Sequence, residues 1–121
     1  MIEAVQIKLS ALWVALMLTY LLGDVLRIFS GDFKPGEFSG AQATPGMYLG
    51  VAVLMVIPIL MMVLSLIWPH PAVRWANIAA ALFFLGFNLF GLPYPGAYDN
   101  FLIGVSFALN ALTVWYAWRW L

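Results

Sequence analysis

The sequence predicts an all-α integral membrane protein, a four-helix bundle with up-down-up-down topology. Of its 121 residues, 65% are hydrophobic and only 8% are charged, whereas about a quarter of the residues of a soluble domain carry a charge. The chain also contains four apolar runs, each close to the 20 or so residues that a helix needs to cross hydrocarbon. Stretches rich in glycine and proline separate these runs and break the helices. Lipid is therefore the expected solvent for most of the surface.

The first predicted helix covers residues 8–29, after a short lead-in that we expect at the membrane surface. This apolar run is long for the hydrophobic region of a signal peptide, and no small-x-small cleavage motif follows it. Asp24 and Arg27 stand where cleavage would fall. We therefore interpret the run as a retained transmembrane helix.

A hydrophilic loop is predicted over residues 30–46, and it is the longest connection in the chain. It holds Asp32, Lys34 and Glu37, together with several glycines and prolines. Loops of this length are more often functional than short ones. We therefore expect it to cover one end of the bundle.

The remaining helices are predicted over residues 47–68, 74–92 and 98–120, within a single membrane domain 1–121. The connections between them are short, so neighbouring helices must be antiparallel. Pro58 lies in the middle of the second helix, where it removes a backbone hydrogen bond and is expected to kink the helix.

The distribution of basic residues predicts the orientation, because cytoplasmic segments carry an excess of lysine and arginine. In the predicted topology, Lys8, Arg74 and Arg119 lie on one side of the membrane, and Arg27 and Lys34 lie on the other. This majority predicts that the N- and C-termini are both cytoplasmic.

Asp24, Arg27 and Tyr20 are the first candidates for function. They share one helix face, and Arg27 is three residues from Asp24, within reach of an ion pair. An ionisable side chain at mid-membrane costs roughly 2.5–3.5 kcal/mol on insertion scales, and less near the interface. One interpretation is an outward-facing polar niche in which Asp24 binds a ligand or accepts a proton. The other is an ion pair that positions the end of the helix.

A second group of polar residues is predicted at the same level, near the outer ends of the third and fourth helices. Asn88 lies shortly before the connection between the third and fourth helices. Tyr94, Tyr98 and Asp99 lie in or next to that connection, at the outer rim of the bundle. Together they would form a hydrogen-bonding group beneath the long loop. Alternatively, Asn88 only joins helices, as polar residues in membrane bundles often do.

Two further asparagines are expected within the bundle. Asn77 near the inner end of the third helix and Asn110 in the middle of the fourth are both interpreted as interhelical hydrogen-bonding residues. Asn110, beside a kink at Pro58, would alternatively line a path through the bundle.

Several classes of function are disfavoured. The chain has no cysteine and a single histidine, His70, so thiolate and histidine-cluster metal sites are not expected. With zero net charge and no basic patch, nucleic acid is not an expected partner. We find no phosphate loop, HExxH or GxSxG motif. The sequence therefore predicts no cofactor, no metal and no enzymatic activity.

Three segments carry a resemblance to a known family. They are the run from Gly50 through Pro58 to Pro69, Arg74-Trp-Ala-Asn77, and the ending Val114-Trp-Tyr-Ala-Trp-Arg-Trp120. They resemble an uncharacterised bacterial family of four-helix membrane proteins, which is loosely similar to the DoxX-like proteins. The resemblance covers nearly all the chain, although Leu22-Gly23 stands where that family often has Tyr-Ala. It implies a multi-pass protein of the bacterial cytoplasmic (inner) membrane, and it implies no activity.

Three functions stay open at this point. The first is an accessory bundle that binds a small apolar molecule or lipid in a niche at Asp24 and Arg27. The second is a small oligomeric proton-coupled transporter with Asp24 as the coupling carboxylate. The third is a structural subunit of a larger membrane complex. The expected partners are accordingly the lipid bilayer, a small apolar ligand, and further copies of the chain or other membrane subunits.

Overall fold

The computed structural model describes residues 3–31, 37–38, 41–42, 44–90 and 97–120. Over this part of the chain it contains four helices: α1 (Ala4–Ser30), α2 (Pro45–Ile67), α3 (Ala72–Phe90) and α4 (Ala97–Arg119). Two short strands, β1 (Glu37–Phe38) and β2 (Ala41–Gln42), lie between α1 and α2. The predicted fold class, a four-helix bundle, is confirmed.

All four helices are long and apolar enough to cross a membrane. They contain 27, 23, 19 and 23 residues, and about 20 suffice to span the hydrocarbon. In lipid a backbone must satisfy its own hydrogen bonds, which a helix does along its whole length. The chain is therefore a small membrane protein.

The helices begin one to four residues earlier than the sequence predicts, and in α1 and α2 side chains bond to backbone groups of the first turn. At the start of α1, the side-chain oxygen of Gln6 accepts a hydrogen bond from the backbone N–H of Glu3 at 2.8 Å. At the start of α2, the hydroxyl of Thr44 accepts one from the N–H of Met47 at 3.2 Å. Such contacts satisfy backbone groups that have no partner within the helix.

Residues 32–36, 39–40 and 43 of the predicted loop 30–46 lie outside the described residues. Its first residues belong to α1, which continues to Ser30 and ends at Gly31 with a φ of +84°, a conformation that favours glycine. Strands β1 and β2 pair antiparallel, with Glu37 opposite Gln42 and Phe38 opposite Ala41. This short ladder was not predicted.

Helix α1 packs closely against both α2 and α4, and α3 packs chiefly against α4. The central core joins α1, α2 and α3 through Trp13, Leu16, Met61, Ala81 and Phe84. Helix α2 is continuous across the buried Pro58. We call the end where α1 begins and α4 ends the Lys8 end, and the opposite end the Arg27 end.

Candidate functional site

Arg27 joins two helices at the Arg27 end of the bundle. Its Nη1 donates a hydrogen bond to Asp99 Oδ1 at 2.6 Å, and its Nη2 donates to Asp24 Oδ1. Asp24 is one turn away on α1, and Asp99 lies in the first turn of α4. A guanidinium presents its donors in a fixed fork and can hold two carboxylates at once. We call Asp24, Arg27 and Asp99 the ion triad.

The members of the ion triad differ in exposure. The side chain of Asp99 is only 4% exposed, that of Arg27 is 27% exposed, and that of Asp24 is 64% exposed. A charge this buried requires a partner, so Asp99 depends on Arg27. Asp24 instead presents its second carboxylate oxygen, for which the described residues contain no hydrogen-bond partner.

A second hydrogen-bonding network lies on the side of the triad towards the bundle centre. The hydroxyl of Tyr20 donates to Asn88 Oδ1 at 3.0 Å and accepts from Asn88 Nδ2 at 2.8 Å. Asn88 Nδ2 also donates to Ser106 Oγ at 3.0 Å. Because these residues come from α1, α3 and α4, the network fixes the position of Asn88 and of the Tyr20 ring.

A cavity of about 160 Å³ lies between the ion triad and this network. We call it the Arg27 cavity. Polar groups of the triad and of the network line two sides of it, and apolar side chains from α2, α3 and α4 form the rest of its wall. The residues that line it are Thr19, Tyr20, Gly23, Asp24, Arg27, Val51, Met55, Phe87, Asn88, Asp99, Leu102 and Ile103.

Gly23 leaves space beside Arg27 in the wall of the cavity. A Cβ atom at this position would lie 3.6 Å from Arg27 Nη2 and 3.6 Å from Leu102 Cδ1, which is ordinary contact. A longer side chain at Gly23 would occupy the space in front of Arg27. The absence of a side chain here is therefore what leaves the cavity open.

The lining has the composition of a small-molecule pocket. Apolar walls with a few convergent polar groups are the usual lining of a small-molecule pocket. Among the described residues, no three His, Cys, Asp or Glu side chains are grouped so that they could hold a metal ion.

A comparison with known protein families assigns the chain to one of them. A model for a family of unknown function, DUF6326, matches residues 2–120. The chain belongs to this family. No curated protein and no solved structure matched it significantly.

The structure of this DUF6326 protein brings together five of the residues that the sequence singled out at the Arg27 end. Asp24, Arg27 and Asp99 form the ion triad, and Tyr20 and Asn88 lie across the cavity from them. Tyr98 lies apart at the rim of the bundle, where its hydroxyl is 2.9 Å from that of Ser30. The prediction for Tyr94 falls outside the described residues.

Asn77 of the DUF6326 protein joins three helices far from the cavity. Its Oδ1 accepts hydrogen bonds from Trp13 Nε1 at 2.7 Å and from Ser65 Oγ at 3.3 Å. Its Nδ2 donates to the backbone oxygen of Val73 at 2.8 Å. The buried amide therefore connects α1, α2 and α3, as expected for an interhelical residue.

Asn110 behaves differently from the other buried asparagines. Both polar atoms of its side chain are buried, and neither has a hydrogen-bond partner in the part of the chain that the structure describes. Among the described residues, the interhelical bond predicted for Asn110 is not seen. Asn110 shares the buried face of α4 with Ser106 and Thr113.

Sequence reasoning missed Ser106. It named Asp99 as a rim residue but did not predict its ion pair with Arg27. Ser106 lies seven residues after Asp99 and four before Asn110, so helical spacing places all three on one face. That spacing was a usable signal. No sequence pattern marks Thr19, Phe87 or the other apolar lining residues as part of a site.

Proposed function

We propose that this membrane protein is an accessory bundle that binds a small, largely apolar molecule carrying a hydrogen-bond donor in the Arg27 cavity. The supporting observation is the cavity itself, in which apolar walls meet a partly exposed carboxylate. A purely structural subunit does not require such a cavity, so the cavity favours a binding role.

The size of the cavity limits the ligand. An apolar cavity of about 150 Å³ accepts a benzene molecule, and the Arg27 cavity is close to that size at about 160 Å³. We therefore propose a ring-sized group, as in a quinol, with any tail lying between the helices or in lipid.

The charges of the site favour a donor on the ligand. When all three groups of the ion triad are ionised, two carboxylates face one guanidinium, which leaves one net negative charge. Arg27 already donates to both acids, and among the described residues the second carboxylate oxygen of the exposed Asp24 has no hydrogen-bond partner, so it is a charged acceptor available at the cavity. A hydroxyl group that reaches Asp24 would complete its hydrogen bonding.

The test uses duroquinol, a ring-sized hydroquinone, titrated under nitrogen into the detergent-solubilised protein. We expect wild type to bind duroquinol more tightly than duroquinone, which has no donor. Asp24→Asn should weaken duroquinol binding roughly tenfold or more, because a hydrogen bond to a charged group is lost. Gly23→Leu should abolish binding by filling the cavity.

Two variants serve as matched controls for this titration. Gly104→Leu makes the same replacement at an exposed glycine of α4 with no atom within 4 Å of a built Cβ. Glu3→Gln removes the same charge as Asp24→Asn at the Lys8 end. Both should bind duroquinol like wild type. Failure of wild type to bind either ring, or unchanged binding in Gly23→Leu, would contradict the proposal.

Proton-coupled transport by an oligomer is the second candidate, and the buried polar face of α4 favours it. Asp99, Ser106, Asn110 and Thr113 are all buried on this face, over a length of about 20 Å at the usual helical rise. The amide of Asn110, which has no hydrogen-bond partner among the described residues, could hold water along such a path. In reconstituted vesicles, transport would require proton flux that Asp24→Asn removes and Glu3→Gln preserves.

We also propose a bacterial cytoplasmic membrane as the location, with the Lys8 end on the cytoplasmic side. Lys8, Arg74 and Arg119 lie at that end, whereas Arg27 at the other end is neutralised by two acids. The resemblance to DoxX-like proteins supports the same location. Exposed apolar side chains such as Phe29, Phe90 and Phe101 are available to lipid, to further copies of the chain or to a larger complex.

A further inference from the structure

A second recess lies at the Lys8 end, between the first turns of α1 and the last turn of α4. It has a volume of about 440 Å³ and is far from the Arg27 cavity along the bundle. We call it the Lys8–Arg119 groove. It is lined by Val5, Lys8, Trp115, Tyr116, Arg119 and Trp120.

Both cations of the groove lie against aromatic rings. Lys8 Nζ is 5.3 Å from the centre of the Tyr116 ring, and Arg119 Cζ is 4.9 Å from that of Trp115. Cation–π contacts of this kind hold a charged group in place without using its N–H donors. The two cations are thereby held at the walls of one recess.

Lys8 and Arg119 keep all their hydrogen-bond donors available. Within the described residues neither donates a hydrogen bond to the protein, and the ion pairs found there belong to Arg27. Both side chains are exposed. Arg74 at the same end is different, because it donates to the backbone oxygens of Ala117 at 2.9 Å and Trp118 at 2.8 Å.

The other titratable groups near the groove do not neutralise it. The carboxylate of Glu3 accepts a hydrogen bond from Trp120 Nε1 at 2.8 Å, so it is directed to the indole. His70 Nε2 lies 3.3 Å from the backbone oxygen of Trp120. With Lys8, Arg74 and Arg119 facing one carboxylate, the described part of this end carries a net positive charge.

We infer that the Lys8–Arg119 groove binds the phosphate of an anionic phospholipid. A phosphodiester offers acceptor oxygens for the lysine and for the fork of the arginine. Basic pockets between transmembrane helices at the membrane surface suit such head groups. The groove is also lined by Trp115, Tyr116 and Trp120, and tryptophan and tyrosine are enriched at that depth of the membrane.

The surroundings favour a lipid over a soluble phosphate. Towards the membrane centre, helical spacing places Leu12 of α1 about one turn from Lys8, and the exposed Leu112 of α4 about one turn from Trp115 and Tyr116. Acyl chains attached to a bound head group could lie along these side chains. A free phosphate would gain nothing from them.

The test measures lipid retention by native mass spectrometry of the protein released from nanodiscs of mixed dioleoylphosphatidylglycerol and dioleoylphosphatidylcholine. We expect wild type to retain phosphatidylglycerol preferentially. Each of Lys8→Gln and Arg119→Gln should reduce this preference roughly fivefold, and the double variant roughly twentyfold or more, as expected from the contribution of a basic residue near an anionic surface. Arg119→Lys should retain most of the preference.

The control is Lys34→Gln, which removes one positive charge from the connection between α1 and α2. It should leave the lipid preference unchanged. Equal losses in Lys34→Gln and Lys8→Gln, or a double variant that retains phosphatidylglycerol like wild type, would overturn the inference. Displacement of phosphatidylglycerol by millimolar glycerol phosphate would also overturn it, since the site would then bind a free phosphate. Circular dichroism of each variant checks that the helices remain folded.

Discussion

Replacing Arg27 by glutamine is expected to destabilise the bundle by roughly 3 kcal/mol, because it leaves a buried carboxylate without its partner. Asp99 is almost fully buried and, in the described structure, its side chain bonds only to Arg27. Breaking a buried pair typically costs about 3–5 kcal/mol. We expect the lower part of that range, since Arg27 is about one quarter exposed.

The measurement is unfolding in mixed detergent micelles, followed by tryptophan fluorescence. Arg119→Gln is the matched control: it makes the same replacement at an exposed arginine without an ion pair in the described residues. Its effect should stay within about 0.5 kcal/mol, the usual range for surface substitutions. Equal losses of unfolding free energy in the two variants would contradict this prediction, because Arg27 would then contribute no more to stability than an exposed arginine.

Removing both charges together should recover much of the lost stability. The double variant Arg27→Gln, Asp99→Asn no longer buries an unpaired charge, so its stability should exceed that of Arg27→Gln alone. Asp24→Asn by itself should cost no more than about 1 kcal/mol, since exposed ion pairs contribute little. This ranking separates the structural role of Asp99 from the role proposed for Asp24 in binding.

The fold could be predicted because lipid permits so few alternatives. Four apolar runs of about 20 residues separated by glycine and proline must become helices, since a spanning segment has to satisfy its own backbone. The helix starts were harder to predict. Glu3 and Gln6 are polar, and the hydrogen bond that joins them at the start of α1 is invisible to a search for apolar runs.

Only part of the candidate site follows from local sequence. Asp24 and Arg27 are three residues apart, so helical geometry predicts their contact. The contact between Arg27 and Asp99 depends on the packing of α1 against α4 and on the depth of each helix end. No spacing within one segment contains that information.

The rotation of each helix about its axis was also hidden. In a soluble protein the apolar face of a helix marks its buried side. Helix α4 reverses this rule: it buries Asp99, Ser106 and Asn110 and exposes Phe101 and Trp118. Because lipid is as apolar as the interior, the hydrophobic pattern alone does not show which face is buried.

Replacing Phe84 by alanine is expected to destabilise the bundle by about 3 kcal/mol or more, the usual cost of truncating a buried phenylalanine. Phe84 is fully buried in the central core. Its ring lies edge-on to Trp13, with 6.1 Å between ring centres, and 6.3 Å from the ring of Tyr20. The loss arises in lipid as it does in water, because a cavity removes packing contacts whatever solvent surrounds the protein.

The neighbouring Phe83 provides the control for this prediction. It is 50% exposed, so in Phe83→Ala lipid can replace most of the contacts that the ring loses. We expect that variant to lose less than about 1 kcal/mol in the same detergent unfolding assay. Phe84→Leu, which refills part of the space, should fall between the two alanine variants. Similar losses for Phe83→Ala and Phe84→Ala would mean that α3 is rotated about its axis relative to the structure, and Asn88, four residues further along the same face, would then no longer point towards Tyr20 and the Arg27 cavity.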